Sequence, residues 1–256
     1  MENNLTVVSG GKMGDFIHSM VVCKYLHELY GCSIDLRIAE TGDFFAFGVE
    51  TAHADLNSLM MSQSYVNSFE ILEEGEDCHF DLSTFRTAPN LYKVGWTDIF
   101  LETYLPYMKL RAPDLKIIEV DGGEKYKDTV VLHRKDLPIN EFCLSVYRDA
   151  IENHDCVFLA LDEQTYDVFP YRDEVMPVFV DDFLGLFQVW QSCKYYIGNL
   201  TAVTAAAHVL DTPRTVELLP YIGTPHYTEE LKYYNTMSYM LDEHNHNMVA
   251  QRGLRI

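Results

Sequence analysis

Residues 5 to 29 constrain this chain more than any other stretch. Leu5-Thr6-Val7-Val8 is an apolar run of strand length, Ser9 to Asp15 is a glycine-rich turn, and Phe16 onward carries the apolar spacing of a helix. A strand that feeds a glycine turn and then a helix opens an α/β sheet. Ligands of such sheets collect where strands end and helices begin, so function is expected at this turn.

Along the helix that follows, Val21, Val22, Tyr25, Leu26 and Leu29 fall on one arc, with Lys24, His27 and Glu28 opposite. That is the pattern of an amphipathic helix covering a sheet. Residues 33 to 38 read as the second strand, which completes a right-handed βαβ unit. A helix over 54–63 and an extended piece at 69–72 come next. Between 80 and 110 aromatic residues dominate (Phe85, Tyr92, Trp96, Phe100, Tyr104, Tyr107), with Arg86 and Lys93 among them. A helical core segment is preferred there over a sugar-stacking surface.

Asp121-Gly122-Gly123-Glu124-Lys125 is polar, carries two glycines and separates two periodic regions, so the expected domains are 1–121 and 122–256. Strands follow at 129–132, 156–161, 177–180, 195–197 and 215–218, spaced by helices over 140–151, 183–190 and 202–210. Strands alternating with helices specify a parallel sheet. The expected fold class is α/β, with two Rossmann-like βαβ domains in a compact chain.

A chain of 256 residues with 48% hydrophobic and 23% charged residues can fill a globular core. Its net charge of −20, with no block of Lys or Arg, makes nucleic acid and anionic membrane surfaces poor partners, and neither is expected. An anionic small ligand must then be met by a few local groups. Six scattered cysteines without a Cys-x-x-Cys pair read as free, buried thiols in a reducing compartment. The start Met1-Glu2-Asn3-Asn4 has neither the basic nor the apolar part of a secretory leader, and no apolar run is long enough to span a bilayer. A cytoplasmic protein without a transmembrane segment is expected. His244 and His246 read as part of a solvated tail rather than a metal site.

Two places could carry chemistry. Ser9-x-Gly11-x-x-Gly14 is one residue short of a dinucleotide fingerprint, and Glu40 is placed to meet a ribose, which raises a nicotinamide oxidoreductase. Asp15 argues against it, because a carboxylate at the first helical position repels the pyrophosphate that the helix N-terminus would attract. Two roles are open to Asp15: a helix N-terminal charge worth about 0.3–1 kcal/mol, or an ionised general base.

The second place runs from Gly198 to His208. A strand delivers the chain to the turn, Asn199 or Thr201 can cap, and Ala205, Ala206 and Ala207 let the helix lie close to the sheet. Such a helix start can cradle a phosphate, with Thr204 in its first turn, or can simply be a capped buried helix. Arg134 and Lys135 follow the strand 129–132, where a guanidinium fork and an ammonium suit a diphosphate. No Asp-x-Asp occurs, and Asp181 and Asp182 would diverge on a strand, so neither metal nor cofactor is expected.

Val8 to Ile17, Phe183 to Leu186, and Tyr196 to Thr201 through Pro213 together resemble the two ends of GT-B glycosyltransferases of the heptosyltransferase-like kind, glycosyltransferase family 9. The likeness covers about the first 40 residues and the stretch from about 180 to 218. It implies two Rossmann-like domains facing a cleft. The Gly-Asp turn of the family supplies its catalytic carboxylate, which falls on Asp15, with Gly11, Lys12 and Gly14 shaping the acceptor side. The late strand, turn and helix of the family contact the donor diphosphate, which falls on Asn199, Thr201 and Thr204. Where the family carries Asp-Thr-Gly, this chain has Asn199-Leu200-Thr201. The implied reaction is inverting transfer of a sugar from a nucleotide-diphosphate sugar to a hydroxyl of a glycan or glycoconjugate. Arg134 and Lys135 would meet the leaving diphosphate, and Glu217 the ribose. Three other classes stay open: the nicotinamide enzyme, a sugar-nucleotide-binding protein without catalysis, and a structural α/β protein.

Overall fold

The computed structural model describes residues 4–40, 45–89, 96–106, 116–135, 141–199 and 201–217. Tyr92, Lys93, Tyr107, Leu200, His244 and His246 lie outside them. The chain separates into two compact units, Met1–Val120 with Asp182–Leu184, and Asp121–Asp181 with Gly185–Ile256.

The first unit runs β1 (Asn4–Ser9), α1 (Met13–Tyr30), β2 (Ser33–Ile38), α2 (Val49–Met61), β3 (Val66–Ile71), β4 (Phe80–Asp81), a 3-10 turn (Leu82–Thr87) and α3 (Trp96–Tyr104). Its sheet has the order β3-β2-β1-β4, with every pairing parallel. The sequence of β2 shows why one face packs. Ile34, Leu36 and Ile38 are fully buried, each contributing about 1.5–3 kcal/mol. Asp35 and Arg37 alternate with them, and Arg37 bonds Glu76 at 2.7 Å and Glu70 at 3.3 Å.

α1 differs from the expected amphipathic helix. It is buried all round from Asp15 to Leu26, because α3 packs against it as well as the sheet. Lys24, expected on a solvent face, is buried and reaches Glu28 at 2.9 Å and Glu119 at 3.4 Å. The helix stops at Gly31, whose left-handed φ of 63° lets its N–H return to the His27 carbonyl. In the aromatic segment Phe85 and Phe100 are fully buried with ring centroids 4.6 Å apart, while Trp96 and Tyr104 are half-buried.

The second unit runs β5 (Val130–His133), α4 (Glu141–Asn153), β6 (Cys156–Ala160), α5 (Glu163–Asp167), a 3-10 turn (Arg172–Glu174), β7 (Met176–Phe179), α6 (Phe183–Ser192, whose first two residues are grouped with the first unit), β8 (Tyr195–Asn199), α7 (Ala202–Val209) and β9 (Arg214–Glu217). Its sheet is again wholly parallel, in the order β7-β6-β5-β8-β9. Val130, Leu132, Tyr147, Phe158, Phe169 and Ile197 centre its core. The short α5 shows no readable period in the sequence. It is started by Asp162, whose carboxylate accepts from the Thr165 N–H at 2.6 Å.

Both sheets start at an inner strand, build outward in one direction, and then cross to the other side for β4 or β8. Loops leaving the two strands at that reversal diverge, and the crevice they open is where ligands of such sheets bind. The reversal lies between β1 and β4 in one unit and between β5 and β8 in the other.

The cysteines are mostly as expected. Cys23, Cys32, Cys156 and Cys193 are free and at least half-buried, and burial pushes the Cys23 and Cys193 thiols up to about 12. Cys78 is free but exposed.

Gly198 makes room for a buried hydroxyl. A Cβ there would meet the Tyr196 hydroxyl at 2.1 Å and the His133 carbonyl at 2.5 Å. The same hydroxyl bonds Thr204 Oγ1 at 2.9 Å, fastening α7 to β8. Gly198→Ala is expected to destabilise the protein by about 1–3 kcal/mol, the range for overpacking. Urea unfolding measures this, and an unchanged midpoint would show that the tyrosine ring moves aside at no cost.

Candidate active site

At the reversal in the first unit, Ser9 ends β1 buried, its hydroxyl 2.7 Å from that of Ser19. The chain then turns through Gly11 at φ 94°, where a Cβ would stand 3.1 Å from Asp15 Oδ2. Backbone angle and carboxylate together require glycine at this position. Lys12 is extended and exposed, and it is the residue before the helix. Asp15 is therefore the third helical residue and not, as expected, the first. That position lets its carboxylate fold back, where Oδ2 accepts the Lys12 N–H at 3.0 Å.

A cation completes the arrangement. Arg86, on the 3-10 turn after β4, places Nη2 2.6 Å from Asp15 Oδ2. The guanidinium lies over the Phe85 ring at 5.0 Å and the Trp96 ring at 5.7 Å. One turn along α1, His18 Nδ1 is 3.0 Å from Thr97 Oγ1 and its ring stacks on Trp96. The Asp15 side chain is 8% exposed and that of Arg86 30%, so the pair is largely withdrawn from water.

The expected helix-start role of Asp15 is thus present, and a buried ion pair is added to it. Oδ2 takes the Lys12 N–H, one of the donors that a pyrophosphate at this turn would use, which weighs against a dinucleotide at Gly11 and Gly14. Glu40 is exposed. The sequence places Arg86 among aromatic residues but does not pair it with Asp15, because β4, which delivers it, is only two residues long and has no detectable period.

At the reversal in the second unit, β5 and β8 run side by side with His133 opposite Gly198. Beyond them Arg134 is buried and Lys135 exposed. The Asn199 side chain, in a residue 1% exposed, clasps the chain after β5: its Oδ1 accepts the Lys135 N–H at 3.1 Å and its Nδ2 donates to the Lys135 carbonyl at 3.2 Å. Thr201 is the cap of α7, accepting from the Val203 N–H at 3.2 Å. Thr204 is buried, bonding the Asn199 carbonyl at 2.5 Å and the Tyr196 hydroxyl. Of the residues expected to touch a donor, Asn199 and Thr204 thus spend the described side-chain bonds on building the turn, while Thr201 and Lys135 have solvent-facing surface. The side chain of Glu217 lies outside the described residues.

His133 was not singled out in the sequence, yet it ends β5 fully buried, 3.0 Å from the Leu159 carbonyl through Nδ1. Burial pushes it down to about 4, against that hydrogen bond, so the ring is neutral with its proton on Nδ1. Among the described residues no three His, Cys, Asp or Glu side chains form a metal-binding group, and no helix is long and apolar enough to cross a membrane.

No protein-family model matches the chain, and no curated protein matches it. Solved structures share its fold at low identity. A glycosyl transferase family 9 protein from Veillonella parvula DSM 2008 is 10% identical with a TM-score of 0.55, over 86% of this chain and 83% of that one. The E. coli heptosyltransferase WaaC with ADP is 11% identical with a TM-score of 0.54, over 86% and 89%. TibC, an iron-containing dodecameric glycosyltransferase from enterotoxigenic E. coli H10407, is 12% identical with a TM-score of 0.57, over 86% of this chain and 60% of its own. The α/β fold with parallel sheets is shared with these glycosyltransferase structures.

The buried histidine gives a pH dependence of known sign. The unfolded chain takes up a proton at His133 below about 6.5, whereas the folded chain does so only below about 4. Stability is therefore lost as pH falls through that window, by up to about 3 kcal/mol from this residue. His133→Gln is expected to lose less stability than the parent between pH 7 and 4.5 in urea unfolding. Equal losses in the two proteins would refute it.

Proposed function

We propose that this protein is a glycosyltransferase that moves a sugar from a nucleoside-diphosphate sugar to a hydroxyl of a glycan or glycoconjugate, with inversion and without metal or other cofactor. The observation that carries the reading is Asp15, a nearly buried carboxylate held by Lys12 N–H and Arg86 at the strand reversal of a fold shared with family 9 glycosyltransferases. The five described free thiols favour a cytoplasmic setting.

In this reading Asp15 takes the proton of the acceptor hydroxyl, and the oxygen attacks the anomeric carbon from the side opposite the diphosphate. The bond from that carbon to the diphosphate oxygen breaks, and its electron pair leaves with the diphosphate. Lys135 and the N-terminus of α7 capped by Thr201 meet the developing negative charge, as helix starts and cations do, and the buried Arg134 beside Lys135 adds its charge to theirs. Asn199 and Thr204 hold that turn in shape, and Glu217 is assigned to the donor ribose. Gly11, Lys12 and Gly14 shape the acceptor side of Asp15.

Structures of similar fold carry ADP or an ADP-sugar, so ADP-sugars come first in a donor screen. A donor at a hundred times its dissociation constant is expected to stabilise the protein by about 2.7 kcal/mol in thermal unfolding, and transfer is expected to persist in excess EDTA. Absence of any shift across ADP-, UDP-, GDP-, CMP- and dTDP-sugars would sink the reading, and activity restored only by added metal would sink its metal-free form.

Asp15→Asn is expected to lower turnover by about 10²–10⁴, with nucleoside-diphosphate affinity kept. The ion pair adds a cost that a helix charge alone would not. Loss of the charged partner of Arg86 removes about 1–2 kcal/mol of stability, discounted because the guanidinium is partly solvated. Full turnover in this variant would remove Asp15 as the base.

A further inference from the structure

We infer that Arg86 is the positioning residue of the base: it holds the Asp15 carboxylate in one orientation and keeps it anionic where it is largely withdrawn from water. The inference rests on the assignment of Asp15 as the base, and its physical core stands on the contact itself.

An aspartate in water is ionised at neutral pH without help. Asp15 is not in water, and withdrawal of a carboxylate from solvent favours the neutral acid, which cannot accept a proton. A cation 2.6 Å away opposes that effect directly. Lys12 contributes its backbone N–H, its side chain being exposed, while His18 on α1 is engaged with Thr97. Arg86 brings a charged side chain into direct contact with the carboxylate.

The geometry also fixes direction. Arg86 reaches Oδ2, the oxygen that already accepts from Lys12, so two donors from different segments converge on one atom. The guanidinium is itself pinned by the Phe85 and Trp96 rings. Carboxylate rotation would break both bonds, so the base waits in the orientation that it uses. The same cation makes the protonated acid less favourable, which lowers the intrinsic basicity of Asp15 and speeds return of its proton to solvent after transfer. Positioning and basicity therefore pull against each other, and removal of Arg86 separates them.

The test uses the full chain with Arg86→Met, which keeps length and removes charge, and Arg86→Lys, which restores charge without the planar fork. The carboxyl-carbon NMR resonance of Asp15 is titrated in each, assigned by its loss in Asp15→Asn. In Arg86→Met the Asp15 midpoint is expected to rise by about 1–3 pH units, the range for an aspartate beside an arginine, and in Arg86→Lys most of that rise is expected to disappear. An unmoved midpoint in Arg86→Met overturns the inference whether or not the protein transfers sugar. If Arg86→Met does not fold, Arg86→Lys and Arg86→Gln carry the same comparison.

With a donor from the screen, kcat of Arg86→Met is expected to fall about 10- to 100-fold, with donor KM unchanged. The acid limb of its pH profile is expected to move up, and Arg86→Lys to recover part of the rate. A raised acceptor KM with unchanged kcat would instead make Arg86 a substrate-binding residue and overturn the positioning role. Failure of the wild-type protein to turn over any donor would refute the glycosyltransferase reading and leave the titration result standing.

Discussion

Two parallel neighbours in a sheet cannot be joined by a tight turn, so the chain must travel back across the sheet between them. In both units that requirement is met by starting inside the sheet, filling one side, and crossing to the other. The crossing leaves one pair of strand ends whose following loops part. Each chemically notable group then stands there for a reason of topology: Asp15 and Arg86 follow β1 and β4, and Lys135 and Thr201 follow β5 and β8. Arg86 lies 71 residues from Asp15 in sequence and 2.6 Å from it in space because β1 and β4 are hydrogen-bonded neighbours.

Charge at these ends is handled locally, as a chain with a net charge of −20 requires. An exposed ion pair such as Lys127 with Glu124 contributes little, because water solvates both partners. The Asp15 pair differs in that the carboxylate is 8% exposed and the guanidinium 30%. A cation left partly in water costs less to desolvate than one fully enclosed, while the nearly enclosed carboxylate gains the most from its partner. The asymmetry favours the ionised form of the enclosed carboxylate.

Much of the fold is legible in the sequence, and the reasons differ by element. The strands and helices of the second unit announce themselves because apolar runs such as Val130 to Leu132 and Cys156 to Ala160 are bounded by polar turns. The burial of α1 is not legible. Lys24 sits opposite the apolar arc and reads as solvent-facing, and only the later residue Glu119 shows that it is not. The site divides in the same way. Asp15 is found because glycines and a helix start mark it, whereas Arg86 depends on a two-residue strand and His133 on a carbonyl 26 residues away. Local chemistry is written locally; pairings made by the sheet are not.

Asn199 shows how a departure from a family pattern acquires a physical meaning. Where the resembling family carries an aspartate, this chain needs a side chain that both donates and accepts, because one bond goes to the Lys135 N–H and the other comes from the amide to the Lys135 carbonyl. A carboxylate can only accept, and it would set a negative charge against that carbonyl oxygen. The carboxamide instead extends the β5–β8 pairing by one side-chain rung beyond the register that ends at His133 and Gly198. From that rung the chain passes to Thr201, and the Asn199 carbonyl is taken by Thr204. The helix start is thereby tied to the strand end through polar bonds that remain inside the unit.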